Sequence, residues 1–431
     1  MKILIENSGY GLGNLGDIAM LQIAISRLKN LFPDSCLQVF TDSPDRLTLF
    51  CPSATPLTTY GRGLYIEPWN ILGGINKLIP QQFHQTCLDL EHGLRVSFPY
   101  ILNPWINYRL ARRGKDITLI DNYLQTIAEA DLVIATGGGY INDSFPRHAE
   151  IILKTLQAAQ KSGKPTALLG QGIGPLSDKR LRNIARQVFK NVSFIGLREG
   201  QLGTQILSEL GISSEKVMIT GDDAIEIAYK NRTQSWGNNI GVNIRISPYS
   251  PVEDESLKII RSILHQFAKD VDSSLQPIPI SFNSTNSTKS DLTSISALLE
   301  NSTEKFKSEN LREIPNTETI IRLVGNCRLV VTGSYHAAVF SLSQGIPAIG
   351  LSKSEYYVSK FAGLQKQFGE GITPVFMESP TFEEDLKIAL ENTWYSSERW
   401  REELLLSAQK QIELGITLYN QLPKLLNSKD H

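Results

Sequence analysis

Short, continuously apolar runs alternate along this chain with longer stretches in which apolar residues return at helical spacing. The runs at 2–6, 37–41, 131–136, 166–170, 192–197 and 216–220 are too short for helices and too uniformly apolar for a sheet face open to water. They predict buried parallel strands. Between them the spacing predicts helices near 17–31, 121–129, 147–162, 177–190 and 200–210, with Gly163 and Gly211 as C-caps. A polar stretch, Asn231 to Asn238, reads as a linker, and the pattern then restarts. It gives strand 240–246, helix 253–268, strand 278–282, helices 290–301 and 317–325, strand 327–332, helix 335–344, strand 346–351 and helix 355–369. Helices 381–392 and 396–421 finish the chain, the last placed to cross back to the first half.

Strands alternating with helices imply parallel sheets covered on both faces. The predicted architecture is α/β, with two Rossmann-like, doubly wound domains facing a central cleft. Residues 1–230 form the first domain, 238–375 the second, and 376–431 the C-terminal helices. Two segments break the rhythm. Residues 283–290 are a polar, low-complexity loop. Residues 55–116 read as a long insertion on the acceptor side, ending in Trp105 to Lys115, where aromatics interleave with positive charge. Such a segment suits an anionic membrane surface or a phosphate-linked ligand. A solvated helix packed by its aromatics onto the first domain is the competing reading.

Composition narrows the partners. Of 431 residues, 41% are hydrophobic and 20% charged, as in an ordinary globular protein with ample core. Lys plus Arg (43) nearly cancels Asp plus Glu (44), so no global field draws in nucleic acid, and anion binding must be local. Cys36, Cys51, Cys87 and Cys327 lack metal-site or disulfide spacing and fit a reducing cytosol. The first residues are too strand-like for a signal peptide, and no apolar run approaches the ~18 residues of a transmembrane helix. The expected location is cytoplasmic, with contact at the inner face of the cytoplasmic membrane left open.

The most informative segment runs from Val330 to Pro347. A buried strand leads into Thr332, Gly333 and Ser334, which supply turn and N-cap chemistry, and a helix follows. His336 therefore falls in the first turn of a helix at the carboxyl end of a parallel strand, where open α/β sheets bind ligands. A helix-capping or core histidine is the plain alternative. Arg198 and Arg245 each end a buried strand, which brings a guanidinium to a ligand-binding edge suited to planar oxyanions. Structural ion pairs, of Arg198 with Glu199 or Asp223, compete with that reading. Gly137, Gly138 and Gly139 can form a nest of N–H groups, with Asn142 and Asp143 close behind, and Gly172 opens another loop at a strand end. Asp143 is the candidate acceptor contact or base. Gly11, Gly13 and Gly16 also satisfy G-x-G-x-x-G, with Asp34 or Asp42 as the acidic partner of a dinucleotide site. No His/Asp/Glu cluster has metal spacing, and His84, His92 and His148 read as surface or packing residues.

Gly333-Ser334-Tyr335-His336 followed by Phe340 to Pro347 resembles the C-terminal signature of the polysaccharide pyruvyl transferase family. Three more segments match in order: Asn14-Leu15-Gly16-Asp17, Ala130 to Gly139, and Gly170-Gln171-Gly172-Ile173-Gly174-Pro175 followed by Leu197-Arg198-Glu199. Together they span about residues 1–370. The resemblance implies a GT-B-like fold and transfer of pyruvate from phosphoenolpyruvate to two hydroxyls of a sugar or lipid-linked oligosaccharide, leaving a cyclic ketal. On that scheme His336 is the acid/base, Arg198 and Arg245 clamp the donor, Ser334, Tyr335 and Lys360 stand on the donor side, and no redox or metal cofactor is required. Many members carry arginine two residues before the histidine, where this chain has Ser334. A nucleotide-sugar glycosyltransferase and a non-catalytic sugar-binding protein are the rival readings.

Overall fold

The computed structural model describes residues 1–66, 78–235, 237–244, 254–282, 290–299 and 315–427. Their strands form two parallel sheets. The first holds β1 (Lys2–Glu6), β2 (Cys36–Thr41), β3 (Ala54–Thr58), β4 (Leu132–Ala135), β5 (Gly138–Ile141), β6 (Thr166–Ile173), β7 (Ile195–Leu197) and β8 (Val217–Ile219). Its order is β3-β2-β1-β4-β6-β7-β8, with β5 pairing onto β6. The second holds β9 (Asn239–Asn243), β10 (Leu275–Pro277), β11 (Cys327–Thr332), β12 (Ala348–Ser352) and β13 (Ile372–Phe376), in the order β10-β9-β11-β12-β13. In both sheets the chain winds outward first one way and then the other. The reversal falls between β1 and β4 and between β9 and β11, and the loops at such switch points are where ligands bind. Each lobe is the Rossmann-like unit the apolar runs predict.

The lobes share a core. Leu15, Ile18, Ala19 and Ala24 of helix Leu15–Leu31 belong to the same buried cluster as Ala228, Ala337, Phe340 and Leu342. That spine runs through helices Ala224–Lys230 and Tyr335–Leu342, so the site lies over a packed floor rather than an open seam. Helix Phe382–Tyr419 closes the back. Its Leu418 comes so close to β7 that a Cβ on Gly196 would overlap it, and Tyr419 donates to Asp223 at 2.7 Å. Arg27 joins the same group, pairing with Asp223 at 2.7 Å and with Glu226 at 2.7 Å. Taking two buried charges out of water is costly unless every lone pair is met, and here the network meets them.

Several expectations differ from what is found. The last two helices are one, because no glycine or proline stands between positions 382 and 414 to end it. Residues 278–282 are not a ladder strand but a crossing segment, bridged only at Ser281 to Asn14 of the other lobe. The expected insertion begins later than position 55, since Ala54–Thr58 is the edge strand of the first sheet. Two helices, Gln81–Ser97 and Pro99–Ala111, make up much of that insertion. Helix Pro99–Ala111 packs inward through Ile106 and Leu110, while Trp105 and Tyr108 face outward, so those two aromatics are not what hold it to the first lobe. The polar loop at 283–289 lies outside the described residues.

Candidate functional site

Ser334, in extended backbone at φ −103°, is the N-cap of helix Tyr335–Leu342, and its N–H donates to the Thr332 hydroxyl at 2.8 Å. The turn throws His336 across to the first lobe. Its ring lies against Gly16, in the opening turn of helix Leu15–Leu31, where a Cβ would run into the imidazole. Nε2 is buried without a hydrogen-bond partner and stands 3.7 Å from Asp222 Oδ2. Asp222 is itself fixed from behind by the Ala224 N–H at 2.8 Å. Burial works to raise its carboxyl, but His336 and Arg198 beside it hold it below the ordinary value.

Arg198 continues β7 and is almost completely enclosed, at 1% exposure. Nε donates to Glu199 at 2.8 Å and Nη1 to Asp222 at 3.3 Å, while Nη2 is buried with no partner. The guanidinium stacks over the Tyr335 ring, Cζ to centroid 4.2 Å. The ion pairs expected as the plain alternative are therefore present, with Asp222 in the place of Asp223, yet one edge of the guanidinium stays open. Lys360 stands beside it with Nζ 4.0 Å from the Tyr356 ring centroid, 5.5 Å from Tyr335 and 5.6 Å from Tyr357. Burial among these rings and the Arg198 charge push the Lys360 ammonium well below its usual pKa. Both cations converge on Gly139: a Cβ there would overlap Arg198 Nη2 and lie 3.0 Å from Lys360 Nζ. Two cations crowded together, one with an unmet N–H, make a ready place for an oxyanion.

The remaining residues frame this cluster. Gly139 accepts from Tyr356 Oη at 3.0 Å and from Asn142 Nδ2 at 2.7 Å, while Asn142 Oδ1 takes the N–H groups of Ser144 and Phe145. Gly172 lacks the side chain that would strike Glu199 and Arg198, and Gly137 lets Met20 and the Gly170 carbonyl approach. Gly138 opens β5. Gln171 is buried under the same loop and donates to Tyr140 Oη at 2.7 Å. Asp17 receives the Ser8 hydroxyl at 2.9 Å and exerts a favourable field on Lys360. Asp143 is not brought to the cluster in this way. Its carboxylate accepts the N–H groups of Ser177 at 2.6 Å and Asp178 at 3.2 Å, holding the loop after β6. Arg245 lies outside the described residues. Asp222, Tyr356 and Tyr357 were not among the residues expected here. Gly221-Asp222-Asp223 reads in the sequence only as a turn that holds a loop, and Tyr356 and Tyr357 stand on the same helix as Lys360.

The first turn of helix Leu15–Leu31, after the glycine-rich segment, offers no free backbone donors. Leu15 N donates to the Ile280 carbonyl at 2.9 Å, Gly16 N and Asp17 N to the Asn14 side chain, and Ile18 N to the Asn14 carbonyl. With those four N–H groups engaged and His336 against Gly16, this helix N-terminus has neither a free donor nor room for a pyrophosphate. The dinucleotide reading of Gly11, Gly13 and Gly16 fails for that reason. Among the described residues, no group of three or more His, Cys, Asp or Glu could hold a metal ion.

The fold recurs in solved structures of low identity. A putative UDP-N-acetylglucosamine 2-epimerase from Listeria monocytogenes matches with TM-score 0.56 at 11% identity over 98% of this chain and 95% of that one. A UDP-GlcNAc 2-epimerase from Neisseria meningitidis matches with TM-score 0.57 at 12% identity over 98% and 100%. They establish a two-domain, GT-B-type α/β fold and nothing about substrate. The amylovoran biosynthesis protein AmsJ of Erwinia amylovora is 24% identical over 270 residues, 58% of this chain and 62% of that protein. The model of the polysaccharide pyruvyl transferase family matches residues 14–355, a span that holds Asn14, Gly139, Arg198, Asp222 and His336, and the chain belongs to that family.

Proposed function

We propose that the protein moves the pyruvyl group of phosphoenolpyruvate onto two hydroxyls of one sugar in a cell-surface polysaccharide precursor, forming a cyclic ketal and releasing phosphate. The observation that carries this reading is the pair of converging cations, Arg198 Nη2 and Lys360 Nζ, over the side-chain-free Gly139 and next to His336. Phosphoenolpyruvate presents two oxyanions on one small carbon frame, and such a site matches it in charge. This chain has Ser334 where the resemblance leads one to expect arginine, and in this reading Arg198 and Lys360 are the cations that meet the donor.

In this scheme protonated His336 delivers its proton to the donor's methylene carbon, and the positive charge that develops on the central carbon is attacked by the first sugar hydroxyl. The hydroxyl proton returns to the imidazole. Phosphate leaves from the same carbon with its bonding pair, and the second hydroxyl attacks that carbon to close the ketal, its proton passing to the departing phosphate. Asp222 Oδ2 is the acidic group beside this imidazole, 3.7 Å from Nε2. Room for the acceptor adjoins the cluster. Phe145, whose ring is 6.3 Å from Tyr356, lines a 490 Å³ pocket with Tyr10, Asp42, Thr59, Arg147 and His148. A larger groove of 930 Å³, lined by Lys258, Lys269 and Lys387, touches none of the cluster's residues. Mass spectrometry of lipid-linked and free oligosaccharides incubated with phosphoenolpyruvate tests the reading. A product heavier by one pyruvyl ketal, with stoichiometric phosphate, is expected; unchanged acceptors across the panel alongside intact donor overturn it.

A further inference from the structure

Eight of the eighteen exposed large apolar side chains among the described residues fall between positions 78 and 108. They are not scattered. On helix Gln81–Ser97 the exposed Phe83, Leu90 and Leu94 are seven and four residues apart, which is one stripe at helical period. On helix Pro99–Ala111, Ile101, Trp105 and Tyr108 are four and three apart, again one stripe. Ile101 is 72% exposed and Tyr108 61%, whereas Ile106 and Leu110 on the other face are fully buried against Ile120 and Tyr123. The second helix is thus apolar on both sides, with one side used by the core. The two helices pack on each other. A helix with its core contacts already made has no folding reason to present a further apolar stripe to water.

Charge says what covers it. Residues 105–115 carry Arg109, Arg112, Arg113 and Lys115 and no acid. Arg112, Arg113 and Lys115 are exposed, and the Arg109 guanidinium lies 4.8 Å from the Trp105 ring centroid. The protein as a whole is close to neutral, so this concentration of positive charge is local. Leucine, isoleucine and phenylalanine in a stripe, tryptophan and tyrosine beside them, and arginines at the rim are the side chains that seat a helix in the headgroup region of an anionic bilayer. No described helix is long and apolar enough to cross one. We propose that the outer face of these two helices is a membrane-docking surface that lies in the interface of an anionic bilayer. The first helix also packs on Pro146–Lys161, whose first residues line the pocket beside Phe145, so docking would bring that pocket to a lipid-linked chain. The docking itself does not rest on the proposed reaction.

The test is sedimentation of the purified full chain with phosphatidylcholine vesicles made with and without phosphatidylglycerol, at low and high salt, with light scattering of the protein alone. The expected result is partitioning that needs the anionic lipid, falls with salt, and drops about tenfold when Leu90→Ser, Ile101→Ser and Trp105→Ser are combined in one chain of unchanged melting temperature. Arg112→Ser with Arg113→Ser should remove the lipid selectivity while the core stays intact. Equal partitioning of parent and triple variant overturns the proposal. A parent that is dimeric and ignores vesicles, with a monomeric triple variant, overturns it in favour of a contact between two copies. Loss of pyruvyl transfer with docking retained would count against the reaction alone.

Discussion

Gly16 and His336 meet at the boundary between the two lobes, so closely that a Cβ on Gly16 would fall 2.5 Å from the Cβ of His336 and into its ring. The first turn of one helix thus fixes the imidazole carried by another. Gly16→Ala should raise helix propensity by about 1 kcal/mol in isolation, yet the clash must displace either His336 or the lobe. The expected outcome is a lower melting temperature and a large loss of turnover. The double variant Gly16→Ala with His336→Gly removes both the ring and the Cβ from the clash, so its loss should be smaller than the sum of the two single losses. Calorimetric melting of the four proteins in this cycle measures the coupling, and additive losses would separate the two residues.

Lys360→Met should stabilise the protein while weakening donor binding. Burial and Arg198 depress the folded pKa of this lysine, so between that value and the unfolded one, about 10.4, the unfolded chain binds more protons. Stability therefore rises with pH across that window, and the parent is penalised as pH falls through it. The advantage of Lys360→Met should grow on going down from pH 10 and then level off, which melting curves of both proteins across pH would show. In kinetics the variant should raise KM for phosphoenolpyruvate about tenfold or more, through loss of a charge-assisted contact.

His336→Ala is expected to lower kcat by about 10²–10⁴ with the donor still bound, since it removes a proton carrier and leaves the cations in place. Asp222→Asn should act on stability as well. The Asp222 carboxyl is held below its ordinary value, so its pairing stabilises the fold fully above about pH 4 and is lost as pH falls through the lower folded value. Asp222→Asn should therefore melt earlier than the parent at neutral pH and lose less on acidification. Steady-state kinetics and melting temperatures from pH 3 to 8 would check both.

Tyr356→Phe removes the hydroxyl that donates to the Gly139 carbonyl at 3.0 Å but keeps the ring over Lys360. A modest fall in stability, about 1 kcal/mol, and a smaller kinetic effect than Lys360→Met are expected. A kcat loss as large as that of His336→Ala would mean the hydroxyl takes part in the chemistry.

The alternation of strand and helix was legible because β1, β4, β6, β11 and β12 are buried on both faces and read as unbroken apolar runs. β5 was not, since Gly138 and Gly139 weaken any strand signal, and they are glycine because Arg198, Lys360 and Tyr140 crowd the positions where side chains would stand. Residues 278–282 look like a strand, but past Ile278, which still bonds to β9, the backbone groups of Ile280, Ser281 and Phe282 serve the turn at Gly13 to Leu15 and the Asp291 carboxylate, a choice only the packed lobes dictate. His336 and Arg198 could be named from strand ends and turn chemistry. Asp222 could not be tied to them, because the contact joins elements more than a hundred residues apart in the case of His336 and depends on how the lobes dock. Asn142 and Asp143 carry the right chemistry for a ligand and yet bond the N–H groups of nearby loops, a role that side-chain type alone does not separate from binding.

The most direct measurement is calorimetric titration of phosphoenolpyruvate into the parent, His336→Ala and Lys360→Met, with UDP titrated in parallel. The account predicts that the parent and His336→Ala bind phosphoenolpyruvate alike, that Lys360→Met binds it about tenfold or more weakly, and that UDP gives no heat of binding. Phosphoenolpyruvate binding that is unchanged in Lys360→Met, or UDP binding in the absence of any for phosphoenolpyruvate, would contradict it.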